Sequence, residues 1–551
     1  MRFEARGKWL LSRMSDTMKQ TQGPRNDEAR QTRKAFYLTT TLPYVNADPH
    51  IGFALELVQA DIVARYRTLL GDSVFFTTGT DEHGQKIYQR AKEEGKDVQL
   101  YVDEYAARFR SLKEKLDLCP ELHFIRTTDA NHVQAAQEIW RRCEKAGDIY
   151  KKKYKGLYCV GDEMFLKESD LVNGLCPNHP TMEPIEIEEE NYFFKLSNYQ
   201  AKLEAYLSQE GVVVPEWRRQ EALKFVQGGL EDFSISREKS RLPWGIPVPG
   251  DEQQVMYVWF DALTNYISTL GWPAPSAVEG PDGLFKKYWV DGETVQMAGK
   301  DQVRFQSIMW QAMLMSAGLP TTQKVVYHGF ITSGGQKMSK SLGNVIDPFS
   351  IVEEYGIDAL RFFLAKHVHP FDDSDVTMER FKEAYNADLA NGLGNAVSRV
   401  MQLAEKHLES PALTAGDLET FQYSTKFRES LDKFDFNVAL EAVWSYVAKS
   451  GETTENEQYM SAINHVLADN NVETIRQVSS VLGVDQTMQT EQPFKVIKED
   501  RQKAVQIITM MVREIALIAK SIEPFMPATS QMILDSVLKN KKPENLFPRK
   551  E

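Results

Sequence analysis

Residues 35–84 read AFYLTTTLPYVNADPHIGFALELVQADIVARYRTLLGDSVFFTTGTDEHG, and this stretch decides the fold class. Ala35 to Leu42 is apolar and rich in β-prone side chains, so it predicts a strand. Pro43-Tyr44-Val45-Asn46-Ala47-Asp48-Pro49 is a turn-rich break. From Ala54 to Leu70 the apolar side chains of Leu55, Val58, Ile62 and Tyr66 recur at helical spacing. Ser73 to Thr78 predicts a second strand, closed by Gly79-Thr80-Asp81-Glu82-His83-Gly84. Strand, loop, helix, strand is the order that builds a parallel sheet with helices on its faces. Ligands of such sheets sit beyond the carboxyl ends of the strands, and both loops of this stretch occupy such ends.

The chain that surrounds this stretch has 551 residues, room for about three to five domains. It is 42% hydrophobic and 26% charged, which is globular in character, and no apolar run reaches the ~18 residues of a membrane span. Cys119, Cys143, Cys159 and Cys176 are too few for a disulfide scaffold and suit a reducing compartment. The net charge of −13 argues against non-specific coating of nucleic acid, while leaving room for a local basic groove. Residues 1–34 differ: nine Lys/Arg against four Asp/Glu give +5, leaving −18 for the rest. Their longest apolar run, Trp9-Leu10-Leu11, is too short for a secretory signal, so a disordered basic tail is expected.

The α/β grammar runs over residues 35–150. Residues 151–230 change character, with turn signals, Cys159, Cys176 and the acidic run Glu186-Ile187-Glu188-Glu189-Glu190, and predict a small inserted domain. Over 231–381 the grammar returns, with strands expected at Val255–Phe260, Val295–Ala298 and Lys324–Tyr327. From 382 to 545 the pattern is helical. Val397, Val400, Met401, Ala404 and Leu408 share one face, as do Leu440, Val443, Trp444 and Val447. The polar stretch 450–490 reads as a lid-like insertion or a loose helix pair.

Two segments are shaped for phosphate. His50-Ile51-Gly52-Phe53 opens the first helix, whose N-terminus offers unpaired N–H groups and partial positive charge. Ser333-Gly334-Gly335-Gln336-Lys337-Met338-Ser339-Lys340-Ser341-Leu342-Gly343-Asn344 is a cationic, glycine-flanked loop able to close on developing negative charge. Taken singly, the first reads as a structural histidine and the second as a surface turn. As an ordered pair they resemble the HIGH and KMSKS signatures of class I aminoacyl-tRNA synthetases. Thr41-Leu42-Pro43-Tyr44-Val45-Asn46, Thr80-Asp81-Glu82-His83-Gly84, Tyr257-Val258-Trp259-Phe260-Asp261-Ala262-Leu263 and Ala298-Gly299-Lys300-Asp301 narrow the resemblance to the methionyl-tRNA synthetase family, from about residue 36 to 540.

The resemblance implies a Rossmann-like parallel-sheet catalytic domain, an inserted connective domain with a knuckle, and a helical anticodon-binding bundle. It implies a methionine–tRNA ligase using L-methionine, ATP with Mg2+, and tRNA(Met). By similarity His50, Lys337 and Lys340 would be catalytic. ATP would be held by His50, Gly52, Phe53, Gly299, Asp301, Lys337, Met338, Ser339, Lys340 and Ser341. Methionine would meet Leu42, Tyr44, Asp81, Trp259, Ala262, Leu263, Tyr266, Gln302 and Gln306, with Asp81 facing its amine. Aromatic walls suit a thioether, worth roughly 0.3–1.5 kcal/mol per contact. Asn395 and Phe494 would read the anticodon, and a buried aromatic is the competing reading of Phe494. Lys151-Lys152-Lys153-Tyr154-Lys155 could touch an acceptor stem or be a solvated loop.

Three positions depart from the family pattern: Phe53 stands where His is usual, Gln306 where His is common, and Gln302 where an aliphatic residue is usual. A relative that binds tRNA without catalysis, or a class I synthetase for another apolar amino acid, is therefore the alternative. Cys159, Asp162, Cys176 and His179 have the spacing of a degenerate zinc knuckle, for which a metal-free form is the other reading. With no C-terminal tRNA-binding appendage after the helical domain, a cytoplasmic monomer is expected.

Overall fold

The computed structural model describes residues 33–159, 164–166, 168, 171–177, 183–278, 283–337, 346–447, 484, 488 and 491–551. The expectations for residues 1–32 and for nearly all of 450–490 lie outside them.

The first stretch folds as strand β1 (Ala35–Thr39), helix α1 (Ile51–Leu69) and strand β2 (Ser73–Thr80). Four further strands join them: β3 (Leu122–Arg126), β4 (Val213–Val214), β5 (Glu293–Gly299) and β6 (Lys324–His328). The sheet order is β3-β2-β1-β5-β6-β4, and every neighbouring pair is parallel. The chain builds outward from β1 through β2 to β3, then crosses back to β5 and β6 on the other side. Strand order therefore reverses between β1 and β5, and the carboxyl ends of these two strands open the crevice where such sheets bind ligands.

Both faces of the sheet are covered, so apolar side chains of neighbouring strand positions pack on opposite faces. Phe36, Leu38, Phe76, Val295 and Met297 pack with α1 on one face. Tyr37, Phe75, Ala298, Val325 and Tyr327 face the other way, toward helix α2 (Ala130–Lys145), with Trp140, Phe260 and Trp310. The buried face of α1 includes Glu56, Gln59 and Asp61, so these polar groups need partners within the fold.

The expected strand at Val255–Phe260 is corrected. Asp251–Met256 is a strand of a small antiparallel sheet outside the main one, and Val258–Ala262 is helical. A short apolar run has no periodicity of its own to separate the two. The lysine run is likewise no loop. Ile149–Cys159 is a strand antiparallel to Ile185–Phe194, with Lys153 opposite Glu190 and Lys155 opposite Glu188. Lys155 reaches Glu186 at 2.9 Å and Lys151 reaches Asp251 at 2.9 Å, so the basic and acidic runs neutralise one another.

After β6 the chain is mainly helical: α3 (Ile357–Lys366), α4 (Asn395–His407), α5 (Phe436–Val447), α6 (Arg501–Ile522) and α7 (Pro527–Lys539). Val397, Val400, Met401 and Ala404 form the buried face of α4, while Leu408, its C-cap, is only partly covered. Arg361 of α3 is fully buried and ties four segments together. It donates to the Asp61 carboxylate at 2.6 Å and to the carbonyls of Phe525 (2.9 Å), Pro524 (3.1 Å) and Leu116 (3.2 Å). Asp61 in turn accepts from Arg65 and from the Cys119 N–H. Burial opposes its ionisation, but the two guanidinium groups and these hydrogen bonds outweigh it and hold the carboxyl below its ordinary range.

Candidate active site at the carboxyl edge of the sheet

His50 is the N-cap of α1. Its backbone is extended and its Nδ1 accepts from the Gly52 N–H at 3.0 Å. Because Nδ1 accepts, a neutral imidazole carries its proton on Nε2. A Cβ at position 52 would lie 2.9 Å from Cε1 and 3.0 Å from Nδ1 of His50, so this cap requires glycine there. The helix starts three residues before the expected Ala54, because capping rather than periodicity sets its beginning. Phe53 lies against the imidazole, ring centroids 4.5 Å apart, and is braced edge-on by Phe109 at 5.5 Å.

The late cationic loop is hinged close by. Ile331–Ser333 pairs antiparallel with Gln336–Lys337 around Gly334 and Gly335. Both glycines have positive φ, +62° and +71°, as a tight two-residue hairpin turn demands. Met338, Ser339, Lys340 and Ser341 lie outside the described residues. Where the described chain resumes, the Ile346 carbonyl accepts from the Ile51 N–H at 3.3 Å. Ile346, two residues past Asn344, is thus bonded to the first turn of α1.

The loop after β2 is anchored at each residue. The Asp81 N–H donates to the Pro43 carbonyl (3.0 Å) and its own carbonyl accepts from Val45 (3.2 Å), which sets Asp81 beside the half-buried Leu42 and Tyr44. Glu82 is buried and takes both prongs of Arg126, at 2.7 and 2.8 Å. The His83 Nδ1 lies 2.6 Å from Asp261 Oδ2.

At the end of β5, a Cβ on Gly299 would sit 2.8 Å from Asp301 Oδ1, so the Asp301 carboxylate would have to shift. Asp301 is exposed and accepts from the Gln302 amide at 3.0 Å. Gln306 is buried and donates to the Tyr266 hydroxyl at 2.6 Å. Its Oε1 is buried and accepts no hydrogen bond among the described residues, an acceptor that a ligand donor or a water would satisfy. Burial raises the Tyr266 hydroxyl far above its ordinary range, so Tyr266 remains a neutral donor. Ala262 and Leu263 are buried, and Trp259 stacks on Phe305 at 3.8 Å.

Sequence reasoning missed the groups that hold this arrangement. Glu56 accepts from the N–H and hydroxyl of Thr41, both at 2.6 Å, and lies 2.9 Å from His328 Nε2. The other His328 nitrogen faces the Gly329 carbonyl at 2.7 Å. Both ring nitrogens thus meet acceptors. Burial disfavours the charge, yet the Glu56 carboxylate outweighs it and raises the His328 pKa above its usual value. No signal in the sequence couples Glu56 to a residue 272 positions away.

Farther off, Asn395 is exposed at the start of α4 and Phe494 is 45% exposed on a short helix, Pro493–Val496. The reading of Phe494 as a buried aromatic is therefore corrected. Cys159 and Cys176 are buried together with Leu166, while Asp162 and His179 lie outside the described residues. No group of three or more His, Cys, Asp or Glu suited to a metal occurs among the described residues.

With this geometry set, similarity to known proteins follows the same lines. The family described as tRNA synthetases class I (M) matches residues 36–188 and 179–401, and the anticodon binding domain of methionyl tRNA ligase matches 450–548. The methionine–tRNA ligase of Rhizobium meliloti is 37% identical over 506 residues, 91% of each chain. That of Thermotoga maritima is 41% identical over 428 residues, 75% of this chain and 66% of the relative. Among solved structures, Mycobacterium tuberculosis methionyl-tRNA synthetase in complex with methionyl-adenylate superposes with a TM-score of 0.77 at 33% identity, covering 91% of this chain and 93% of that one. These matches cover most of the chain, and the chain belongs to the methionine–tRNA ligase family of class I aminoacyl-tRNA synthetases.

Proposed function

We propose that this chain activates L-methionine with ATP and transfers the methionyl group to the 3′ end of tRNA(Met). The methionine carboxylate attacks the α-phosphorus in line, the bond to the β-phosphate oxygen breaks, and pyrophosphate leaves. A hydroxyl at the tRNA 3′ end then attacks the methionyl carbonyl and AMP departs. The observation that carries the reading is the Ile51 N–H bond to the Ile346 carbonyl, which ties the first turn of the His50 helix to the chain just after the lysine-bearing loop.

Little covalent work falls to the protein, so positioning and charge stabilisation carry the rate. In this reading the α1 N-terminus and the Nε2–H of His50 hold the triphosphate, while Gly52 and Phe53 keep the ring in place. Lys337 and Lys340, with Met338, Ser339 and Ser341 between and beside them, meet the charge that develops as pyrophosphate leaves. Gly299 admits the adenosine and Asp301 holds its ribose. ATP brings its own Mg2+ as part of the substrate. Asp81 receives the methionine amine, and Leu42, Tyr44, Trp259, Ala262, Leu263, Tyr266, Gln302 and Gln306 form the pocket around it. Exposed Asn395 and Phe494 meet the anticodon.

ATP–pyrophosphate exchange with each of the twenty amino acids tests the reading. Methionine alone should support exchange. Exchange with another apolar amino acid would reassign the substrate, and tRNA binding without exchange would mean an impaired relative. At the knuckle two forms stand side by side, one holding zinc through Cys159, Asp162, Cys176 and His179 and one metal-free, with Cys159 and Cys176 packed in one apolar cluster. Metal analysis of the purified chain beside Cys176→Ser decides that point. No catalytic step passes through it. No described helix is long and apolar enough to cross a membrane. A cytoplasmic monomer is the proposed state, and a concentration-independent dimer mass in sedimentation would refute it.

A further inference from the structure

Asp261 is fully buried, and its carboxylate is shared between two imidazoles: His83 Nδ1 at 2.6 Å from Oδ2, and His132 Nε2 at 2.7 Å from Oδ1. His132 Nε2 faces a carboxylate oxygen, which only accepts, so Nε2 carries a proton, while Nδ1 lies 2.9 Å from the Ser268 hydroxyl. A buried carboxylate that takes an N–H on each oxygen is satisfied without net proton uptake. Burial works against its ionisation, and the two imidazoles outweigh that and keep the carboxyl below its ordinary range.

The three donors and acceptors belong to three different parts of the site. His83 lies two residues after Asp81, on the loop that follows β2. His132 is on α2, the helix covering the sheet face behind the pocket. Asp261 is on the short helix Val258–Ala262, next to Ala262 and Leu263. His83 is in turn packed against Trp244, whose indole N–H donates to the Glu82 carbonyl at 2.7 Å. The β2 loop is thus pinned from outside, and Asp261 is its connection to the wall that contains Ala262 and Leu263.

We propose that Asp261 is a positioning and specificity-determining residue: bridging His83 and His132, it fixes the distance between the amine-binding loop at Asp81 and the thioether wall at Ala262–Leu263. Its action is through neighbours and not on the reacting atoms. This inference rests on the methionine pocket proposed above. It goes beyond that reading in assigning the width of the pocket to a buried hydrogen-bonded bridge, where the lining residues alone had been considered. ATP meets other elements, the first turn of α1 and the end of β5, so loosening the bridge loosens one substrate site and not the other.

The test is steady-state ATP–pyrophosphate exchange of the full chain with methionine, with ethionine (one methylene longer) and with ATP as the varied substrate. Asp261→Asn should raise KM for methionine by about fivefold or more while KM for ATP stays within about twofold, because only ground-state positioning of one substrate is lost. It should also lower the preference for methionine over ethionine by about fivefold, out of the roughly 10–200-fold that one methylene commands. His132→Gln keeps a donor where Nε2 stood and should stay near the parent, whereas His132→Leu should behave as Asp261→Asn. A smaller change in methionine KM, an equal factor in both KM values, or His132→Gln matching His132→Leu overturns the proposal. If Asp261→Asn does not fold, His83→Asn, which keeps a donor at the Nδ1 position, against His83→Phe gives the same comparison. A parent chain that shows no methionine-dependent exchange overturns the reading of the reaction, and this inference with it, before any variant is measured.

Discussion

Gly52→Ala separates the chemistry of the α1 N-terminus from its stability. The new Cβ would lie 2.9 Å from Cε1 and 3.0 Å from Nδ1 of His50, closer than packed carbon atoms come. The backbone of α1 is fixed by its own ladder, so the imidazole must swing away and gives up the 3.0 Å bond from the Gly52 N–H. Losing an N-cap acceptor costs about 1 kcal/mol. Replacing Gly by Ala inside a helix returns up to about 1 kcal/mol. The net change in unfolding free energy should therefore be under about 1 kcal/mol. The phosphate side has no such compensation: removing one preorganised donor costs about 2.7–4 kcal/mol of barrier, or roughly 100–1,000-fold in kcat. The assay is ATP–pyrophosphate exchange with methionine, run beside urea unfolding of the same preparation. The double variant with His50→Ala should be no slower than His50→Ala alone, because both remove the same donor. Exchange within about threefold of the parent would refute the argument. So would full additivity of the two substitutions.

Three further outcomes follow from the structure. Arg361→Met removes one partner of a buried ion pair and three carbonyl contacts, and should lower the urea-unfolding free energy by about 3–5 kcal/mol; the lower end is expected because Arg65 still faces Asp61. A loss below about 1 kcal/mol would mean that water already reaches the pair. His328 has a raised folded pKa, so the stability its charge contributes is complete below its unfolded value of about 6.5 and is lost as pH rises through the folded value. The difference in unfolding free energy between the parent and His328→Gln should accordingly shrink as the pH rises above about 6.5, and a difference that grows would reverse the assignment. Phe494→Ala should leave adenylate formation unchanged and raise KM for tRNA, within the roughly 1–3 kcal/mol that base stacking supplies; an unchanged KM for tRNA would remove Phe494 from the anticodon site.

The parallel sheet was legible where the strands covered on both faces carry short apolar runs, as in Phe36–Leu38 of β1 and Val325–Tyr327 of β6. Val255–Phe260 was misread because the same apolar density also suits a strand entering a buried helical turn, and it does both in six residues. Within the site the division is sharper. His50, Asp81, Asp301 and the two lysines were named through the family resemblance, whose signatures are short and local, and their roles stand as proposals. Their supports could not be named in this way. His83 and Asp261 are 178 residues apart, Glu56 and His328 are 272 apart, and a carboxylate–imidazole pair leaves no mark on the spacing of either member. Phe53 shows the consequence. By residue type alone it loses a donor where the family has histidine. In the fold its ring is pressed on His50 and braced by Phe109, so in the proposed site the phenyl ring packs on the imidazole where a second phosphate donor would otherwise stand. The departure that weakens the motif on paper thus packs against the imidazole that the proposed reaction uses. Its effect on rate has to be judged from the geometry of the ring pair, not from the missing nitrogen.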